Sequence, residues 1–367
     1  MKSLCPIVIL LAISACNHPI EIVGEGDVWS SGGRSCTLEE FQMGQDNCTK
    51  NTVSEAYQDT YFAEARSGWQ FRRWAHYCTN VLIAECSFNV PAGMVERFEG
   101  VTVPPLTAIF RPTVNTGFDA LLMGHSFFNP FALGLPAHAA QGGFTEHDQT
   151  AIFVPSENGA PLALWNDPVR RAEIQTVLDA GETELFGMTY HYNYPTMDGY
   201  RQWVKYALQK NPDTRFFIAT TWERFPIWFN SADYEDVWNT FHTEEIHSKI
   251  DTLRAEFPGV DFYCIPTGQV AVELHKLFNA NDPDLLADLS DLYGSYENAV
   301  FEDAWGHPGE LFEALGQLVW FSSIYHFELD SYPFSHGYTT DIKAIAKAVV
   351  DGHDANYNAP PENYPAL

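Results

Sequence analysis

Asp119-Ala120-Leu121-Leu122-Met123-Gly124-His125-Ser126-Phe127-Phe128 is the stretch on which the reading of this chain turns. Ala120 to Met123 is an unbroken apolar run, so the strand it predicts is buried on both faces. Such strands belong in parallel sheets covered by helices. Ser126 then falls on the turn from strand to helix, at the carboxyl edge of the sheet, where sites in such sheets lie. Its hydroxyl is exposed there. Its backbone N–H lies near a helix N-terminus, which favours developing negative charge.

Downstream, strand and helix signals alternate. Strands are expected at Gln149–Val154, Leu185–Thr189, Thr214–Thr221 and Val260–Pro266. Helices are expected at Pro168–Ala180 (opened by an Asn166-Asp167 cap and a first-turn Pro), Gly199–Lys210, Glu235–Phe257, Gly268–Phe278, Pro308–Tyr325 and Asp341–Val350. This alternation predicts a parallel sheet with helices on both faces. No glycine-rich phosphate loop is present. The motif Gly-x-Ser-x-Gly is not met, because Phe128 stands where its last glycine would be.

The second chemical segment is Glu302-Asp303-Ala304-Trp305-Gly306-His307-Pro308. A histidine before a helix-starting proline is held at a loop–helix junction. An acid a few residues upstream can accept its Nδ1–H and fix the tautomer. Alone, the pattern would also serve as a helix cap.

Together the two segments resemble the SGNH (GDSL-type) hydrolase family over roughly residues 118–326. In that family a Gly-Asp-Ser-like box follows the first strand, and Asp-x-x-His-Pro precedes the last helix. The chain departs in two places: His125 replaces the acid of the first box, and the acid-to-His spacing has one extra residue. Glu302 therefore competes with Asp303, which is nearer and shorter. The resemblance implies a flavodoxin-like α/β/α sandwich and ester hydrolysis by Ser126, His307 and Asp303, with no cofactor and no metal. It also implies an oxyanion hole formed by a Gly backbone and an Asn side chain. Gly159, in Ser156-Glu157-Asn158-Gly159, and Asn193, in Tyr190-His191-Tyr192-Asn193, are the candidates. His191 stands nearer the strand end and competes with Asn193. Gly143, Trp165 and Trp222 are further candidates for the pocket lining, although a core role suits both tryptophans.

The N-terminal part has another character. Lys2, the apolar run Ile7 to Ile13 and Ile13-Ser14-Ala15-Cys16 read as an export signal. The last four resemble the bacterial lipobox, which implies cleavage before Cys16 and lipidation of that cysteine. Residues 17–35 are polar and Gly-rich and read as a tether, residues 36–112 as a small β-rich module, residues 118–352 as the catalytic domain and residues 353–367 as a tail. Gly68-Trp69-Gln70-Phe71-Arg72-Arg73-Trp74 resembles a strand of bacterial extracellular β-repeat modules. In an exported chain the cysteine spacings suggest disulfides Cys36–Cys48 and Cys78–Cys86, with Cys264 free in a strand. A zinc site competes for these cysteines, but no C-x-x-C pair supports it. His242 and His247, five apart, also miss the i, i+4 register of an α-helix.

Of 367 residues, 20 are Lys or Arg and 48 are Asp or Glu, a net charge of −28. That excludes a nucleic-acid surface and broad adhesion to anionic lipid. The expectation is an exported, lipid-anchored serine esterase of the cell envelope, with acylated carbohydrate as one candidate substrate. A non-catalytic surface lipoprotein and an acyltransferase on the same fold are the alternatives.

Overall fold

The computed structural model describes residues 16–362 except 80–82, 92–93, 95–96, 99, 223–228, 230–231, 281–290, 295–296, 298 and 336. The expected export signal up to residue 15 and the last five residues lie outside the described residues. Two compact units divide the chain, Met1–Thr113 and Val114–Leu367.

In the first unit, β1 (Cys16–Asn17) pairs with β5 (Thr52–Val53). Strands β2 (Ile20–Val23), β9 (Leu106–Pro112) and β7 (Trp69–Ala75) form one sheet. Strands β4 (Ser35–Cys36), β3 (Gly26–Ser30), β6 (Tyr57–Ala65) and β8 (Glu85–Val90) form another. Two short helices, α1 (Leu38–Gln42) and α2 (Asp46–Thr49), follow β4. Ile20, Ile22, Val28, Tyr61, Trp74 and Phe110 meet in one buried core. Disulfides Cys36–Cys48 and Cys78–Cys86 close loops of this unit.

Residues 17–35, expected as a tether, are instead largely strand. Ile20 and Ile22 alternate with Glu21 and Val23 and point into the core. Two of the glycines that suggested flexibility pack closely instead: a Cβ on Gly24 would lie 2.3 Å from the Phe110 carbonyl oxygen, and one on Gly26 2.3 Å from the Phe110 ring.

The second unit is a three-layer α/β/α structure. Its parallel sheet has the order β11 (Asp148–Phe153), β10 (Asp119–Gly124), β12 (Leu185–Thr189), β13 (Arg215–Ala219), β14 (Phe262–Ile265). Numbered within the unit this is 2-1-3-4-5, the flavodoxin-like doubly wound order. Along β10, Ala120 and Leu122 enter one apolar core while Leu121 and Met123 enter the other. That two-sided burial is why the strand reads as a continuous apolar run.

The first core is covered by α3 (Asn129–Gln141). Further along the chain α4 (Pro161–Asn166), α5 (Pro168–Asp179) and α6 (Asp198–Lys210) cover the second. Helix α3 contains Pro136 and is apolar on most sides, which hides its period in the sequence. The helix expected from Glu235 to Phe257 is three pieces: α7 (Tyr234–Phe241), a π-helical stretch His242–His247, and α8 (Ser248–Glu256). Helices α9 (Thr267–Ala280), α10 (Glu310–Tyr325) and α11 (Ile342–Gly352) follow. Between α9 and α10 lie the short strands β15 (Asp291–Tyr293) and β16 (Ala299–Phe301).

Residues 353–362, expected as tail, pack on this unit. The Tyr357 ring stacks 3.5 Å from that of His247, and Glu362 pairs with the buried Arg215 guanidinium. No helix among the described residues is long and apolar enough to cross a membrane.

Candidate active site

Strand β10 ends in Gly124, and the chain turns at once into α3. Gly124 is required by packing: a Cβ there would meet the Phe128 side chain at 2.6 Å. The ring of Phe128 in turn packs edge-on against Trp320. Phe128 thus fills the place that a second glycine would leave open. His125 stabilises the turn. Its Nδ1 accepts the Phe127 amide at 3.2 Å and its Nε2–H donates to the Tyr190 carbonyl at 2.9 Å. A carboxylate in that position could make the first of these bonds, as Asp does in Asx-turns. Burial lowers the His125 pKa to about 4, so the ring is neutral at pH 7.

The histidine loop is a tight hairpin. Glu302 N–H donates to the His307 carbonyl, and Gly309 N–H to that of Val300. Gly306 takes φ +90°, a left-handed conformation that glycine adopts without strain. Asp303 sits inside the hairpin. Its Oδ1 accepts the amides of Trp305 (2.9 Å), Gly306 (3.0 Å) and His307 (3.2 Å). Its Oδ2 accepts from His307 Nδ1 at 2.7 Å. Burial alone would raise its pKa. The bonds from the His307 ring and backbone outweigh that and hold the carboxyl below its ordinary value. Glu302, the alternative, is exposed to solvent.

With Nδ1–H committed to Asp303, His307 Nε2 carries the lone pair. It lies 2.8 Å from Ser126 Oγ, so the Ser126 O–H donates to it. Phe127 packs edge-on against His307 and stacks flat on Trp222. Trp222 Nε1–H donates to the Gly306 carbonyl at 2.9 Å, anchoring the hairpin. The core role expected for Trp222 is therefore only half its work, since it also faces the cavity. Trp165 packs against Trp203, away from the cavity lining. Gly143, at φ +83°, is likewise outside that lining.

Ser126 and His307 open into a cavity of about 820 Å³. Its walls include Phe127, Tyr190, Trp222, Trp238 and Phe241, and Trp305 and Tyr192 stand at its exposed edge. His191 lines it, whereas Asn193 does not. The Asn193 backbone N–H donates to His191 Nδ1 at 3.2 Å, which leaves the ring proton on Nε2. Gly159 also lies outside the lining. It is pressed against the turn before Ser126, where a Cβ would sit 2.7 Å from the His125 nitrogen. Ser156 and Glu157 of the same turn face the cavity, and Ser156 has φ +56°. Nothing in the sequence signals that conformation, because glycine or asparagine is the residue it favours.

No family model matches this chain. No curated protein matches it either. Among solved structures it is similar to a DUF4886 family protein from Bacteroides uniformis, at 13% identity and TM-score 0.40, over 64% of this chain and 94% of that one. It is also similar to a lipopolysaccharide acetyltransferase periplasmic domain from Salmonella ser. Paratyphi A, at 11% identity and TM-score 0.28, over 43% of this chain and 69% of that one.

Proposed function

We propose that the protein is a serine ester hydrolase of SGNH type. The observation that carries this reading is the continuous relay from Asp303 Oδ2 through His307 to Ser126 Oγ, with links of 2.7 and 2.8 Å, at the floor of an aromatic cavity. In this reading Ser126 Oγ attacks the ester carbonyl while His307 Nε2 takes its proton. Asp303 stabilises the imidazolium without being protonated itself. In the same reading the Ser126 N–H and the Nε2–H of His191, which lines the cavity, hold the oxyanion. His307 returns the proton to the leaving alcohol, and water, activated by the same histidine, releases the acyl group.

Acylated carbohydrate is the substrate class we favour. Trp305 and Tyr192 present exposed aromatic faces at the cavity edge, against which a sugar ring can lie. The two disulfides suit an oxidising compartment, and lipidation of Cys16 is the proposed anchor. Acetyl release from acetylated xylan or peptidoglycan fragments, with and without added sugar acceptor, tests this reading. Free acetate in proportion to enzyme supports hydrolysis. Acetate appearing only on the acceptor would make the protein a transferase.

A further inference from the structure

On the side of the sheet where α8 packs, three imidazoles and a thiol converge from separate parts of the chain. His242 and His247 come from the π-helical stretch, Cys264 from β14, and His353 from the residue after α11. One donor atom from each lies within 4.8 Å of all the others. We propose that His242, His247, Cys264 and His353 form a closed, structural zinc site.

The backbone explains how a pair spaced five apart can cooperate. A π-helix hydrogen-bonds i to i+5 and carries more residues per turn than an α-helix. His242 and His247 therefore share a face, which the α-helical register forbids. Their ring centroids are 4.5 Å apart. Keeping a π stretch inside an otherwise α-helical segment needs a compensating interaction, and shared ligation supplies one.

The donor geometry suits the ion. His353 Nε2 is 3.1 Å from His242 Nε2 and 3.6 Å from Cys264 Sγ. Tetrahedral zinc with bonds of about 2.0–2.3 Å places its ligands roughly 3.3–3.7 Å apart. His353 Nδ1 donates to Asn358 Oδ1 at 2.5 Å, which turns the Nε2 lone pair toward the cluster, as metal-bound histidines are held by a second hydrogen bond. His247 Nε2 is buried and has no hydrogen-bond partner among the described residues. His242, His247 and Cys264 are all at least nine-tenths buried. His242 stacks on Trp238 and His247 on Tyr357, so both rings are fixed in orientation.

Soft and borderline ligands in a His₃Cys set select zinc over magnesium or calcium. Four protein ligands leave no open position, so the site holds structure and performs no chemistry. On binding, the Cys264 thiol loses its proton to solvent and the thiolate bonds to the ion. The site joins the helix that carries Trp238, a cavity wall residue, to β14 and to the C-terminal segment.

The test uses the full chain, produced without a polyhistidine tag and analysed for metals by mass spectrometry. About one zinc per chain is expected, falling at least tenfold in Cys264→Ser and in His353→Ala. Cobalt added to the chelator-treated wild type should give the intense visible bands of a tetrahedral ion and a thiolate charge-transfer band. The latter should be missing in Cys264→Ser. Should the variants fail to fold, the wild type alone decides: zinc must raise the Tm of chelator-treated protein. No zinc on isolation, no cobalt bands and no change in Tm would overturn the proposal, as would metal content unchanged by both substitutions.

Discussion

His307 and His247 are both imidazoles held by a neighbour in a single orientation, yet they sit in opposite settings. The side chain of His307 is 28% exposed and faces a hydroxyl across an open cavity. His247 is sealed in the fold among two other imidazoles and a thiol. A base must exchange protons with substrate and water, so its nitrogen has to reach solvent. A ligand that holds structure gains from exclusion of water. In the two proposals the same side chain serves chemistry in one place and architecture in the other, and burial and partners separate the two roles. The sequence also presents them differently. The residues around His307 form one hairpin, whereas the His247 cluster is gathered from positions spanning 242 to 353.

The comparison breaks most sharply at the base. If the proposed function holds, His307→Ala should lower kcat for an acetyl ester by ~10⁵–10⁶, the scale of loss when the base of a serine hydrolase is removed. Loss of less than tenfold would put His307 in a structural role like the one proposed for His247. Asp303→Asn keeps the hairpin's shape but offers the wrong hydrogen-bonding partner to Nδ1, so kcat should drop ~10⁴. Steady-state kinetics of the variant, with circular dichroism to establish folding, would measure it. His191→Ala removes a proposed oxyanion donor and should cost ~10²–10³ in kcat with little change in KM.

Smaller effects sharpen the contrast between buried and open rings. His125 is buried and neutral, its pKa lowered to about 4 from the ordinary 6.5. Between those values the unfolded chain binds a proton that the folded chain does not. Stability is therefore full above pH 6.5 and declines as pH falls from 6.5 toward 4, by up to about 1.4 kcal/mol per pH unit from this residue. Urea midpoints for wild type and His125→Asn should converge as pH drops through that window. Parallel curves would show that His125 does not control the acid response. The least effect is expected at the rim: Trp305→Ala should raise KM for a glycan ester several-fold and leave a small aryl ester almost unaffected.

Much of the second unit is legible in the sequence because its strands are buried on both faces. Continuous apolar runs at Leu185–Thr189 and around Leu121 mark them directly. The meeting of Ser126, Asp303 and His307 is legible because each lies near the end of an element, where chain order and position coincide. Other features are set by tertiary contacts that leave no local pattern. The bond from Trp222 to Gly306 joins residues 84 positions apart. The left-handed Ser156 uses a residue type that does not announce it. The π stretch at His242–His247 overrides the α-helical register assumed for that segment. In the first unit, Gly24 and Gly26, which suggest a tether, are tight-packing positions against Phe110.

The most direct measurement is covalent labelling of the full chain by a fluorophosphonate probe, with the modified peptide identified by mass spectrometry. Hydrolysis of p-nitrophenyl acetate and butyrate would be followed in parallel for wild type, Ser126→Ala and His307→Ala. The account predicts a single adduct on Ser126, and hydrolysis that falls to background in both variants. No labelling of Ser126, with equal background rates in all three proteins, would contradict it and leave a binding protein built on the same sheet.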